Sequence, residues 1–186
     1  MRIVPALVLA LFLCTPAMQA QDTPAAEIFG GYSYLSFDGG SLGSSERIGL
    51  NGFGTSVTGN INRVIGIEGE IGSHWGSDCG GSGLDCNQLS FMAGPRFAFR
   101  GSSVTGFVHN LYGVSHASVG LSGVNVTDNS FALAIGGGVD VKASNVVSIR
   151  VPQFDYVMTD LYSGLGADRQ NNFRFQAGVV LTFGRH

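Results

Sequence analysis

From residue 27 to residue 183, apolar and polar side chains alternate in runs separated by glycine-, serine- and asparagine-rich breaks. The run VIGIEGEIGSHW at residues 64–75 is the clearest example. Wound as a helix, it would smear its two glutamates around the circumference. Extended as a strand, it sends successive side chains to opposite faces. One face then carries Ile65, Ile67, Gly69 and Ile71, and the other Val64, Gly66, Glu68 and Glu70. The same period predicts eight strands, over residues 27–37, about 48–58, 64–75, 87–100, 104–117, 130–142, 146–158 and 171–183. In the fourth, Leu89, Phe91, Ala93, Pro95, Phe97 and Phe99 share a face. In the sixth, Phe131, Leu133, Ile135, Val139 and Val141 do so, and in the eighth Phe173, Phe175, Ala177, Val179, Leu181 and Phe183. The faces of the second strand stay open. In the fifth, either His109 with Phe107 and Leu111 or Val108 with Asn110 and Tyr112 turns inward.

The breaks between strands alternate long and short, with short turns at residues 59–62, 100–103 and 143–145. Each strand has about the 9–11 residues that cross a bilayer when tilted. An antiparallel barrel that starts and ends on the periplasmic side gives this order of connections. The expected fold is therefore all-β, an eight-stranded antiparallel up-and-down transmembrane β-barrel. A soluble barrel of lipocalin type would bury the apolar face instead. Eight strands enclose a lumen only about wide enough for side chains to fill, and the Phe, Ile and Leu of the richer face exceed that room. The apolar face therefore turns to lipid.

Composition supports this reading. Charged residues make up 12% of the chain, about half the usual share of a soluble domain, yet beyond the N-terminus no apolar run is long enough for a membrane helix. The one lysine is Lys142; without a basic block, nucleic acid is excluded as a partner. At the N-terminus, Arg2, an apolar segment over residues 3–13 and small residues ending at Ala20 make a secretory signal peptide, residues 1–20. Cleavage after Ala17 is the alternative; the bulky Leu13 before Cys14 argues against lipoprotein processing. Residues 21–26 form a short periplasmic leader and residues 27–186 the barrel domain. In an exported chain, Cys79 and Cys86 in SDCGGSGLDCN read as a disulfide closing a small loop. Even with Asp78 or Asp85 the pair lacks the donors of a zinc site, and no metal or cofactor is implied.

With the apolar face outward, Glu68, Glu70, Arg96, Asp140, Arg150 and Arg174 point inward. In the seventh strand, Arg150 and Asp155 have opposite parity, with Pro152 between them. An extra residue at Val151–Pro152 returns Gln153 and Asp155 to the interior, since proline within a sheet marks an edge or a bulge. The expected content is a polar plug of interlocked ion pairs; an ion path with charged gates is the alternative.

FGGYSYL, GIEGE, GPRFAFR, FALAIGGGVDV and NNFRFQAGVVLTFG, spread over residues 27–183, resemble the small bacterial outer-membrane β-barrel family, the OmpA/OmpX-type eight-stranded domain. The resemblance implies residence in the bacterial outer membrane among lipid and lipopolysaccharide. It also implies insertion by the outer-membrane assembly machinery, for which Phe183 near the end of the last strand is suited, and a monomeric barrel. Longer relatives tether to the cell wall through a further domain, which is not expected here. Some barrels of this size are lipid A hydrolases, needing a serine, a histidine and an acid in relay. His116-Ala117-Ser118 is a superficial match, with Asp128 in a loop and no glutamate after Glu70. Gly136-Gly137-Gly138 is expected to let backbones or an inward arginine approach closely, and His74 and Trp75 to join an interfacial aromatic belt.

Overall fold

The computed structural model describes residues 23–38, 47–77, 85–121, 124–160 and 169–184. Among them are eight strands: β1 (Ala26–Asp38), β2 (Arg47–Asn60), β3 (Ile65–Ser77), β4 (Asp85–Arg100), β5 (Val104–Leu121), β6 (Val124–Lys142), β7 (Val147–Thr159) and β8 (Gln170–Phe183). They pair in sequence order, and β1 returns to β8 from Ala26↔Phe183 to Ser36↔Phe173, closing the barrel. Every ladder is antiparallel. Closure leaves no sheet edge along the wall, so each strand satisfies its backbone from both neighbours.

The faces sort as alternation demands. Ile65, Ile67, Ile71, Phe91, Phe97, Phe99, Phe131, Phe173 and Leu181 are exposed on the outer surface, whereas Glu68, Glu70, Arg96, Arg150 and Arg174 are buried. Exposure decides the matter on β3, where Ile67 is 53% exposed and Glu68 0%. The second strand, left open above, buries Leu50, Gly52, Gly54, Ser56 and Thr58 and shows Phe53 and Val57. The fifth buries Phe107, His109 and Leu111 and shows Val108 and Tyr112.

Two local expectations change. The first short turn falls at residues 61–64 rather than 59–62, because β2 runs on to Asn60, in register with Gly66 on β3. Asn62 Oδ1 then accepts from the backbone N–H groups of Val64 and Ile65, an Asx turn. The loop expected up to Asn129 is instead a tall hairpin: β5 and β6 pair continuously from Val104↔Val141 to Leu121↔Val124. Serine, glycine and asparagine are weak strand formers alone, but here a continuous ladder holds them extended. Residues 1–22 lie outside the described residues, and with them the signal peptide and most of the leader. Cys79 also lies outside them, and so does its expected pairing with Cys86.

On β7 the pairing slips by one residue. Asp140 faces Arg150 and Gly138 faces Gln153 on one side; Gly178 faces Arg150 and Gln176 faces Gln153 on the other. Two residues, Val151 and Pro152, thus stand against one on each neighbour, a β-bulge. It leaves Arg150, Gln153 and Asp155 buried together.

Candidate functional site in the lumen

The lumen is filled in layers, starting at the end with the short turns. There a polar vestibule of about 610 Å3 is lined by Glu27, Arg100, Thr105, Asp140, Lys142 and Ser148, among others. Glu27 is held by Arg100, by Arg96 at 3.0 Å and by the amide of Asn60 at 3.0 Å. One step deeper, Asp140 receives Arg150 at two points, Nε to Oδ1 at 2.7 Å and Nη2 to Oδ2 at 3.1 Å. Arg96 reaches the same Asp140 from β4 at 3.1 Å and also donates to Thr58 Oγ1. The two guanidiniums lie over the Phe107 ring, at 4.1 Å and 4.3 Å, and Arg150 also lies over Phe29 at 4.4 Å. Aromatic faces favour a cation stacked against them, so these rings add to what the carboxylates hold.

The middle layer is built round His109. Its Nδ1 lies 2.9 Å from Glu68 Oε2 and its Nε2 2.8 Å from Asp155 Oδ1. Asp155 Oδ2 accepts from Gln153 at 2.9 Å and from Arg174 Nε and Nη2 at 2.9 Å and 2.8 Å. Arg174 in turn pairs with Glu70 on the far wall. Above this, Ser33 Oγ and His74 Nε2 bond at 2.7 Å and Gln88 donates to Ser115 at 2.8 Å. At the long-loop end, Leu35, Phe37, Leu50, Cys86 and Ala117 form an apolar cluster inside the barrel.

Glu68, Glu70, Arg96, Asp140, Arg150, Asp155 and Arg174 all lie in this network. Sequence reasoning missed Glu27 and Arg100 and left His109 undecided. Glu27 shares its face with Phe29, Leu35 and Phe37, and His109 shares its face with Phe107 and Leu111, so a rule of apolar outside and polar inside passes over both. Arg100 could have been found, since it has the inward parity of Arg96. The lumen is therefore mixed rather than purely polar.

Other motifs resolve differently. His74 turns inward and leaves Trp75 on the outer surface, its ring 6.3 Å from Phe53; neighbours in a strand take opposite faces, so the two cannot share a belt. In the triglycine the expected close approach of backbones holds, with the carbonyls of Phe154, Phe107 and Pro152 lying where side chains of residues 136, 137 and 138 would stand, and the side chain admitted at Gly136 is the Asp155 carboxylate rather than an arginine. His116 is exposed and its Nδ1 meets Asn129 Oδ1 at 2.8 Å. Ser118 shares that outward face, while Asp128 is in register with the inward-facing Ala117. These three residues form no relay.

Polar atoms without a protein partner also run through the lumen: Arg96 Nε, Glu68 Oε1, Glu70 Oε2, the Gln176 amide, His74 Nδ1 and Gln88 Oε1.

Comparison with known proteins agrees with the architecture. A family model described as "Outer membrane protein beta-barrel domain" matches residues 6–183. No curated protein matches by sequence. Among solved structures, neisserial surface protein A (NspA) superimposes with a TM-score of 0.64 at 15% identity, covering 85% of this chain and 96% of that one. Ail, the attachment invasion locus protein of Yersinia pestis, gives 0.56 at 18% identity, covering 85% and 96%. The N-terminal barrel domain of Pseudomonas aeruginosa OprF gives 0.53 at 12% identity, covering 88% and 100%. At these identities the likeness is one of fold.

Proposed function

The chain belongs to the outer membrane protein β-barrel family, and from that premise we propose that it is a non-enzymatic barrel of the bacterial outer membrane whose lumen is a plug. Its work is then mechanical or adhesive. The wall stiffens the membrane among lipid and lipopolysaccharide, and the outer loops supply surface contact. The short-turn end faces the periplasm, as in barrels of this kind. Phe183, closing β8, suits handling by the assembly machinery, and the chain acts as a monomer with no nucleic-acid partner.

The observation that carries the reading is the cross-lumen bonding. Arg96 links β4 to β6 and β1, His109 links β5 to β3 and β7, and Arg174 links β8 to β7 and β3. Side chains that join opposite walls obstruct the path between the two ends.

A narrow conducting pore is the second reading, and the vestibule and the unpartnered polar atoms above it favour it. Single-channel recording on refolded protein separates the two. A plug gives a silent bilayer for the parent chain; steady openings that change with Glu68→Gln would establish the pore. For the hydrolase reading, mass spectrometry of lipid A from expressing cells is expected to show an unchanged profile, identical for Ser118→Ala.

A further inference from the structure

The charges of the lumenal network do not balance on carboxylates and guanidiniums alone. Among the described residues its ion pairs involve five carboxylates, Glu27, Glu68, Glu70, Asp140 and Asp155, and four guanidiniums, Arg96, Arg100, Arg150 and Arg174; Arg63, bonded to Arg100 at the turns, and the exposed Lys142 stand at the solvent-facing rim and are not counted with the buried groups. Arginine keeps its charge in proteins. One negative charge is left over, buried deep in the barrel, where an uncompensated ion is strongly unfavourable.

His109 stands where that charge would be felt. Both of its ring nitrogens meet carboxylate oxygens, Glu68 from β3 at 2.9 Å and Asp155 from β7 at 2.8 Å. An ionised carboxylate only accepts, and a neutral imidazole donates from one nitrogen only. A neutral ring between two carboxylates would therefore press a lone pair against an anionic oxygen. Among the described residues the other walls offer no competing acid: Arg96 is in register with His109 on β4 and Gly136 on β6, and the Phe107 ring meets the imidazole edge-on, 5.7 Å between centroids. Beyond Asp155 lie Arg174 and Glu70, already paired with each other. The second buried histidine, His74, bonds Ser33 and meets no carboxylate among the described residues.

We propose that His109 is held in the lumen as a doubly protonated imidazolium, the fifth cation that neutralises the network and latches β3 and β7 to β5 across the barrel. This rests on reading the lumen as a plug, but its test does not depend on conduction. Protein with 15N-labelled histidine in lipid nanodiscs at pH 7 reads both ring nitrogens, with His109→Gln assigning the signals. The imidazolium predicts that both His109 nitrogens resonate as protonated, donor-type nitrogens. One unprotonated, pyridine-type signal would overturn it, placing the proton on Glu68 or leaving the charge open. A second readout uses compensation. His109→Gln should lower the folding equilibrium constant roughly tenfold or more, and adding Glu68→Gln, which removes the excess charge, should recover most of that loss. If the double variant is weaker than the single one, charge closure is wrong. A silent bilayer with a pyridine-type His109 would sink this proposal and leave the plug standing; a conducting parent with an imidazolium would do the reverse.

Discussion

Arg174 is enclosed between Glu70 on β3 and Asp155 on β7, and almost none of its surface reaches solvent. Such a residue is valuable for what its removal leaves behind. Arg174→Met would strand two buried carboxylates, a loss of about 3–5 kcal/mol, and equilibrium unfolding from lipid vesicles should register it. The outer wall gives the complementary case. Ile71 lies near the middle of β3 with its side chain outward. Ile71→Arg should cost roughly 2–4 kcal/mol, the penalty for arginine facing lipid at midplane, while Ile71→Phe should fold like the parent. At this scale alternation was informative because each residue on β3 has a single choice of face. It failed for Glu27 and His109, whose inward neighbours are phenylalanine and leucine. The pattern reports the majority character of a face, and a lone charge among aromatics carries the signal of its surroundings.

Elements are shaped by one close approach, at Gly136, and one bulge, on β7, and both lie beside the network. Gly136 leaves space that the Asp155 carboxylate and the Phe154 carbonyl occupy. Gly136→Ala would push a methyl group into that space and should destabilise the barrel by about 1–3 kcal/mol, measured as a shift in the denaturant midpoint. The bulge on β7 adds one residue between Arg150 and Gln153. Deleting Val151 should restore regular alternation with Arg150 and Asp155 still inward, so the barrel should fold. Deleting Phe154 should instead turn Asp155 to the lipid and abolish the heat-dependent shift in gel mobility of a folded barrel. The bulge could be read from Pro152 and the broken parity around it. The tall β5–β6 hairpin could not, because its serines, glycines and asparagines signal a loop locally and only continuous pairing keeps them extended.

For the whole molecule, the number of strands was legible because a closed barrel repeats one rule eight times; the expected order of long and short connections fails between β5 and β6, where a tall hairpin replaces the long loop. The layering inside was not. It depends on which walls face each other across the lumen, and no local period encodes that. The arrangement nevertheless explains the composition: a chain with 12% charged residues concentrates charge where guanidiniums and carboxylates can meet and gives its outer wall to isoleucine, valine and phenylalanine. The apolar side chains themselves offer the sharpest check, because the chain has two sets of them. In nanodiscs, magnetisation transfer from lipid acyl chains should reach the methyl groups of Ile67, Ile71, Val179 and Leu181, which are exposed. It should miss those of Leu35, Leu111 and Val157, which are buried within the barrel. Transfer to Leu35 and Leu111 with none to Ile67 and Leu181 would mean that the faces are reversed, and the account would be wrong at its root.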